Sequence, residues 1–265
     1  MFPIRDDVPS SRLPVVNTLI VALCSIAFLF QLAGGDGGER MAEEYGFIPA
    51  RLTRPGQVLV IPHREVVRTP LGLAVHETER ELAPSAIPPV LTLITCMFLH
   101  GGWMHIIGNM WFLIIFGDNI EDRYGHLGYL LLYLVCGLAA SFLQLLADPY
   151  SPIPTIGASG AIAGVMGSYF ILYPRAQVLT VIPIVIFLQF IVLPAPLFLG
   201  IWFLFQLLSA AFSESGMGGV AWWAHVGGFG MGLGATLWLR SHGRLVGQAH
   251  YVRVVPARRP QSPWT

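Results

Sequence analysis

The chain has 265 residues, 54% of them hydrophobic and only 11% charged, with a mean hydropathy of +0.64. A soluble domain carries about a quarter of its residues charged, so this composition excludes an ordinary soluble fold and points to a membrane protein. All 15 basic residues are arginine and they balance 15 acids to a formal net charge of zero, which leaves nothing to suggest nucleic acid as a partner.

In chain order, residues 1–13 read as a cytoplasmic N-terminus and 14–33 as a first span. That run is long for a signal-peptide core and is followed by no clear small-x-small cleavage site. Residues 34–90 hold eight of the 15 acids and six of the arginines, so they are expected to form a large, mostly polar outer loop. Apolar runs follow at 93–117, 127–147, 158–174, 196–213 and 222–240. Each approaches the roughly 20 residues that cross ~30 Å of hydrocarbon. Asp118, Glu121, Asp122 and Arg123, between two of them, read as a solvated, self-paired cytoplasmic turn.

The stretch 178–213 is too long for one span and is split by Pro194 and Pro196. Arg5, Arg12, Arg123, Arg175 and Arg240 flank apolar runs on one side, whereas 148–157 and 214–221 carry no arginine. The positive-inside rule makes the arginine side cytoplasmic. Arg175 and Arg240 then share a side, so 196–213 and 222–240 are the two crossings between them, and 178–193 is left as an interfacial or partly embedded segment. Residues 241–265, with four arginines and no acid, are expected to be a flexible basic cytoplasmic tail. The fold expected is an all-α membrane protein, six helices over 14–240 with a large first extracytoplasmic loop. Cys24, Cys96 and Cys136 sit in apolar segments and read as buried thiols rather than disulfides or a metal site.

Polar groups inside a membrane are costly and mark function by default. With that orientation, His100, His105 and Asn109 lie in the outer half of the second span, Ser159 begins the fourth, and His225 lies in the first turn of the sixth. Three distant segments thus place them at similar depth. Gly160 with Gly164, Gly228 with Gly232, and Gly230 with Gly234 repeat the small-xxx-small spacing that lets helix backbones approach closely. A serine needs a neighbouring base to become a nucleophile, and His225 is placed to be that base. His105 and Asn109, spaced i, i+4, share a helix face and, with the Ser159 amide, are candidate donors to a developing oxyanion. No acid lies inside a span near His225, so the expectation is a dyad whose ring is oriented by packing or water. Trp103, Trp111, Trp222 and Trp223 read as interface anchors and packing aromatics.

These residues resemble the rhomboid family of intramembrane serine proteases. Gly157-Ala158-Ser159-Gly160 is similar to its GxSG nucleophile motif, and Ala224-His225-Val226-Gly227-Gly228 to its histidine segment. His100 through Asn109 resembles its second-span motif, whose later His and Asn serve the oxyanion hole, and Gly117 to Asp122 looks like the end of that span in bacterial members. The Trp-Arg pair common in the first loop of many members is missing. The resemblance implies six helices, a Ser159–His225 dyad, support from His100 and Gly157, no cofactor or metal, and a bacterial inner-membrane location with both termini cytoplasmic. It also implies single-pass transmembrane substrates, met within the lipid and cut near the outer face. Two other readings stand beside it: a zinc hydrolase using His100, His105 and His225, and a rhomboid-like protein that binds membrane clients without cutting them.

Overall fold

The computed structural model describes residues 1–69, 72–184, 187–213 and 220–245. A short strand β1 (Phe2–Asp6) leads to helix α1 (Val15–Ala33), followed by α2 (Glu39–Tyr45) and α3 (Pro49–Thr53) and by a hairpin of β2 (Val60–Thr69) and β3 (Gly72–Glu81). The one-turn α4 (Thr92–Thr95) precedes α5 (Trp103–Ala147) and α6 (Ser159–Leu172). A second hairpin, β4 (Gln177–Ile184) and β5 (Phe187–Pro194), runs into α7 (Ala195–Phe212), and α8 (Trp222–Ser241) completes the order. α5 is two helices joined at Gly125, whose φ of 69° and ψ of 167° break it. Each of the six apolar runs therefore holds a helix. By length and composition α1, α5 and α7 suffice to cross a membrane.

α6 is the axis of the bundle. It has only 14 residues, about 21 Å at 1.5 Å per residue, and Gly160 through Tyr169 are all buried. A helix apolar all round belongs in the interior. By contrast α1 and α7 turn Leu19, Leu23, Ile26, Phe30, Leu204 and Phe205 outward at 50–65% exposure. That outer belt suits lipid rather than water.

Several expectations are corrected. The fold is mostly helical but not all-α, because two small antiparallel sheets are present, β1-β4-β5 and β2-β3. Segment 178–193 is the antiparallel pair β4 and β5: the β-branched run Val178, Thr180, Val181, Ile182 favours extended backbone, and β4 has β1 and β5 as its ladder partners on either side. The second helix starts at Trp103 rather than at residue 93, because Gly101-Gly102, with Gly102 at φ 150°, interrupts the chain after the short turns of 89–98. Residues 34–90 are folded rather than a plain loop. The buried Glu43 carboxylate accepts the Ala83 N–H at 2.8 Å and pairs with Arg80, while the Arg51 guanidinium donates to the carbonyls of Glu43 and Ala83. Phe47 and Thr155 then exchange backbone hydrogen bonds of 3.1 and 2.7 Å, which ties this segment to the one before Ser159. The tail expected at 241–265 lies outside the described residues from 246 onward.

The acidic segment is also not a purely solvated, self-paired turn, because Glu121 is buried and serves another helix. α1 starts after Pro14 with no side-chain cap of its own, and its free N–H groups need acceptors. Glu121, buried on α5, supplies them: its two oxygens accept the N–H groups of Val16 and Asn17 at 2.9 and 2.8 Å. Asp122 accepts from Ser11 and Arg12. Asn17 in turn donates to the Leu113 carbonyl (3.0 Å) and accepts from the Tyr129 hydroxyl (2.7 Å). Carboxylates near a helix N-terminus are also favoured by its dipole.

Candidate active site

α6 and α8 run parallel and touch backbone to backbone. A Cβ on Gly228 would lie 1.8 Å from the Gly160 carbonyl oxygen, and one on Gly232 would lie 1.9 Å from that of Gly164. On the other side of α6, a Cβ on Gly164 would meet the Cys136 side chain at 2.3 Å. The glycine pairs 160/164 and 228/232 are thus the packing surface, whereas Gly230 and Gly234 have open space around them and take no part. The single Ser168 hydroxyl hydrogen is shared between the carbonyls of Gly164 and Gly232 (3.0 and 3.2 Å), linking the two helices one turn further on.

This approach sets Ser159, at the start of α6, beside His225, in the first turn of α8. Ser159 Oγ and His225 Nε2 are 2.7 Å apart. His225 Nδ1 lies 2.7 Å from Gln206 Oε1 on α7. An amide oxygen can only accept, so in this arrangement the imidazole hydrogen belongs on Nδ1, with Nε2 facing the serine hydroxyl. The ring is 92% buried, with Trp202 tilted against it at 6.0 Å between centroids and Trp222 edge-on at 6.1 Å.

Across from the serine, Gly157 takes φ +123°, and its N–H donates to the Cys96 carbonyl at 2.8 Å. A Cβ there would lie 2.6 Å from His105 Nε2 and 3.5 Å from Asn109 Nδ2. His105 Nδ1 accepts the Gly101 N–H at 3.2 Å, so its own hydrogen is on Nε2. Asn109 Nδ2 is buried without a hydrogen-bond partner among the described residues. Two N–H donors therefore converge beside Gly157, two residues from Ser159. Ser159, His225, His105, Asn109, Gly157 and Gln206 all line one cavity of about 570 Å³ with a largely apolar wall.

His100 does not line that cavity. It is fully buried behind His105, edge-to-face at 5.2 Å between centroids, and its backbone is clasped by Gln31 of α1 at 2.9 and 3.1 Å. Among the described residues no three His, Cys, Asp or Glu side chains gather as a metal-binding group, so His100, His105 and His225 do not form the ligand set a zinc reading requires. Trp222, read as an interface anchor or packing aromatic, belongs to the cavity wall. Gln206 was not singled out from the sequence. The available signal was an amide in the middle of an apolar run, a costly placement that implies a partner.

A model of the Rhomboid domain family matches residues 89–242, more than half of the chain. The chain belongs to the rhomboid family. The match takes in the segments bearing His105, Asn109, Ser159 and His225 and leaves α1 and residues 34–88 outside. Among curated relatives from Arabidopsis thaliana, RHOMBOID-like protein 5 is 37% identical over 76 residues, 29% of this chain and 25% of its own length. RHOMBOID-like protein 6, mitochondrial, is 42% identical over 76 residues, 29% of this chain and 24% of its own. RHOMBOID-like protein 4 is 30% identical over 159 residues, 57% of this chain and 34% of its own. The chain thus spans about a quarter to a third of the length of these relatives. They are plant proteins, so what they support is the rhomboid family and not a bacterial branch of it. As a rhomboid, the chain is an integral membrane protein of a family of intramembrane proteases.

Proposed function

We propose that this rhomboid is an intramembrane serine endopeptidase in which Ser159 is the nucleophile and His225 the general base. The observation that carries the reading is the 2.7 Å contact between Ser159 Oγ and His225 Nε2, facing a cavity with two donors on its far wall. Ser159 Oγ attacks the scissile carbonyl carbon as its proton passes to Nε2. The carbonyl oxygen, now negative, takes hydrogen bonds from His105 Nε2–H, Asn109 Nδ2–H and the Ser159 amide at the start of α6. When the intermediate collapses, His225 gives its proton to the leaving amine and an acyl-Ser159 ester remains. Water, deprotonated by the same nitrogen, then releases the acid and restores the serine.

The helices support six crossings over 14–240, the two halves of α5 counting separately. Pairing of β1 with β4 sets the N-terminal strand beside the C-terminal end of α6, the end opposite Ser159. With the arginine side cytoplasmic, both termini face the cytoplasm and the site opens to the outer side of the inner membrane. The largely apolar cavity wall suits a substrate arriving from lipid, a single-pass transmembrane protein cut near the outer face. Reconstituted wild type should cleave such a model substrate, while Ser159→Ala and His225→Ala should not. Cleavage that persists in Ser159→Ala overturns the mechanism.

A further inference from the structure

α7 is an apolar helix, AlaProLeuPheLeuGlyIleTrpPheLeuPheGlnLeuLeuSerAlaAlaPhe in sequence, and a carboxamide in its middle is costly unless its polar atoms are used. Gln206 is 5% exposed and spends its oxygen on His225 Nδ1 at 2.7 Å. Trp202, one turn earlier, lies against the same imidazole, and both Trp202 and Phe203 pack on Phe229, one turn beyond His225 on α8. Past Leu199 the only fully buried side chains of α7 are Gln206 and Ala210. The contact of α7 with α8 at this level is therefore built around the histidine and the phenylalanine one turn below it.

We infer that Gln206 is the positioning residue of the dyad, the acceptor that holds the His225 hydrogen on Nδ1 and so keeps the Nε2 lone pair on Ser159. The inference rests on the reading of Ser159 and His225 as nucleophile and base. A neutral imidazole has one N–H, and either nitrogen can carry it. With an oxygen at Nδ1 the hydrogen stays there; without it the hydrogen is free to move to Nε2, where it meets the serine oxygen and no base remains. Serine proteases with a carboxylate at this position show the same dependence on tautomer, but here the third member is a neutral amide. It orients the ring and adds no charge. During turnover the Nδ1–H···Oε1 bond persists, while the transferred proton moves only from Oγ to Nε2 and on to the leaving nitrogen. Because Gln206 rides on α7, the base is competent only while α7 is docked on α8.

The test is steady-state cleavage of a model single-pass substrate by the full chain in liposomes, normalised to folded protein, with Gln206→Leu, Gln206→Glu and Ser159→Ala beside wild type. Leucine keeps the volume and removes the acceptor. It should lower kcat by about 10²-fold with KM changed less than about threefold. Glutamate returns an oxygen at the same reach, and its kcat should recover to within about tenfold of wild type. Wild-type kcat in Gln206→Leu, or equal losses in the leucine and glutamate variants, overturns the positioning role. Ser159→Ala separates the two readings. If it still cleaves, the dyad itself is wrong; if it is inactive while Gln206→Leu is unimpaired, only the role of Gln206 fails.

Discussion

Gly157 shows how narrowly the site is drawn. Its φ of +123° is one that L side chains rarely adopt, and the space a methyl group would take is already held by His105 Nε2. Gly157→Ala should therefore lower kcat by about tenfold or more, with a modest drop in unfolding temperature, as His105 is pushed from its place. Asn109 gives the complementary case. Its buried Nδ2 lacks a hydrogen-bond partner among the described residues, and under the proposed mechanism that cost is recovered when an oxyanion forms. Asn109→Ala should reduce turnover through kcat, by about 10²-fold, and leave KM nearly unchanged; an unchanged kcat in a folded variant removes the assignment. That Ser159, His225, His105 and Asn109 gather at one cavity was legible in the sequence because each is a polar group at matching depth in an otherwise apolar run. Gln206 left the weaker signal of an amide in an apolar run, which implies a partner but not which one, because the local pattern of α7 does not report how that helix rotates against α8.

At the scale of elements the long helices were legible from apolar run lengths alone, and the strands were not. β4 and β5 sit in a stretch so uniformly apolar that periodicity cannot separate buried helix from strand, and the partner that organises them, β1, is 171 residues or more away in sequence. The glycine runs were legible only in part. Spacing identified both pairs on α8, but Gly228 and Gly232 face α6 while Gly230 and Gly234 face away. Gly232→Ala should force α6 and α8 apart, lowering the unfolding temperature and cutting activity at least about tenfold. Gly234→Ala should be neutral or slightly stabilising, as alanine is the better helix former; thermal unfolding and cleavage rates of the pair check both.

The N-terminal strand adds a pH-dependent contact. Burial pushes the Asp6 carboxyl up to about 6, with neighbouring Asp7 adding to the rise and the Tyr169 hydroxyl opposing it. A raised acid binds its proton more tightly folded than unfolded, so stability falls as pH climbs from about 4 through about 6. Asp6→Asn keeps an acceptor for Tyr169 without the charge. Its unfolding temperature should depend less on pH between 4 and 7 than that of wild type, measured in the same detergent.

For the whole molecule, the proposed sidedness rests on how the pieces join. The strands β1, β4 and β5 form one sheet at the end of the bundle away from Ser159, and the segment after α1 is tied through Phe47 and Thr155 to the end that carries it. The three native thiols are buried, so single new cysteines are readable against a low background. Arg175→Cys and Ser241→Cys should react with an impermeant maleimide from one side of the membrane, and Tyr150→Cys, more than half exposed, from the other. Labelling of positions 175 and 241 from opposite sides contradicts six crossings.

The most direct measurement is where a fluorophosphonate probe attaches, read by peptide mass mapping of wild type and His225→Ala in liposomes. The adduct should fall on Ser159 in wild type and form at least about 10²-fold more slowly without the histidine. An adduct elsewhere, or one on Ser159 that forms as fast in His225→Ala, contradicts a serine activated by its neighbour on α8.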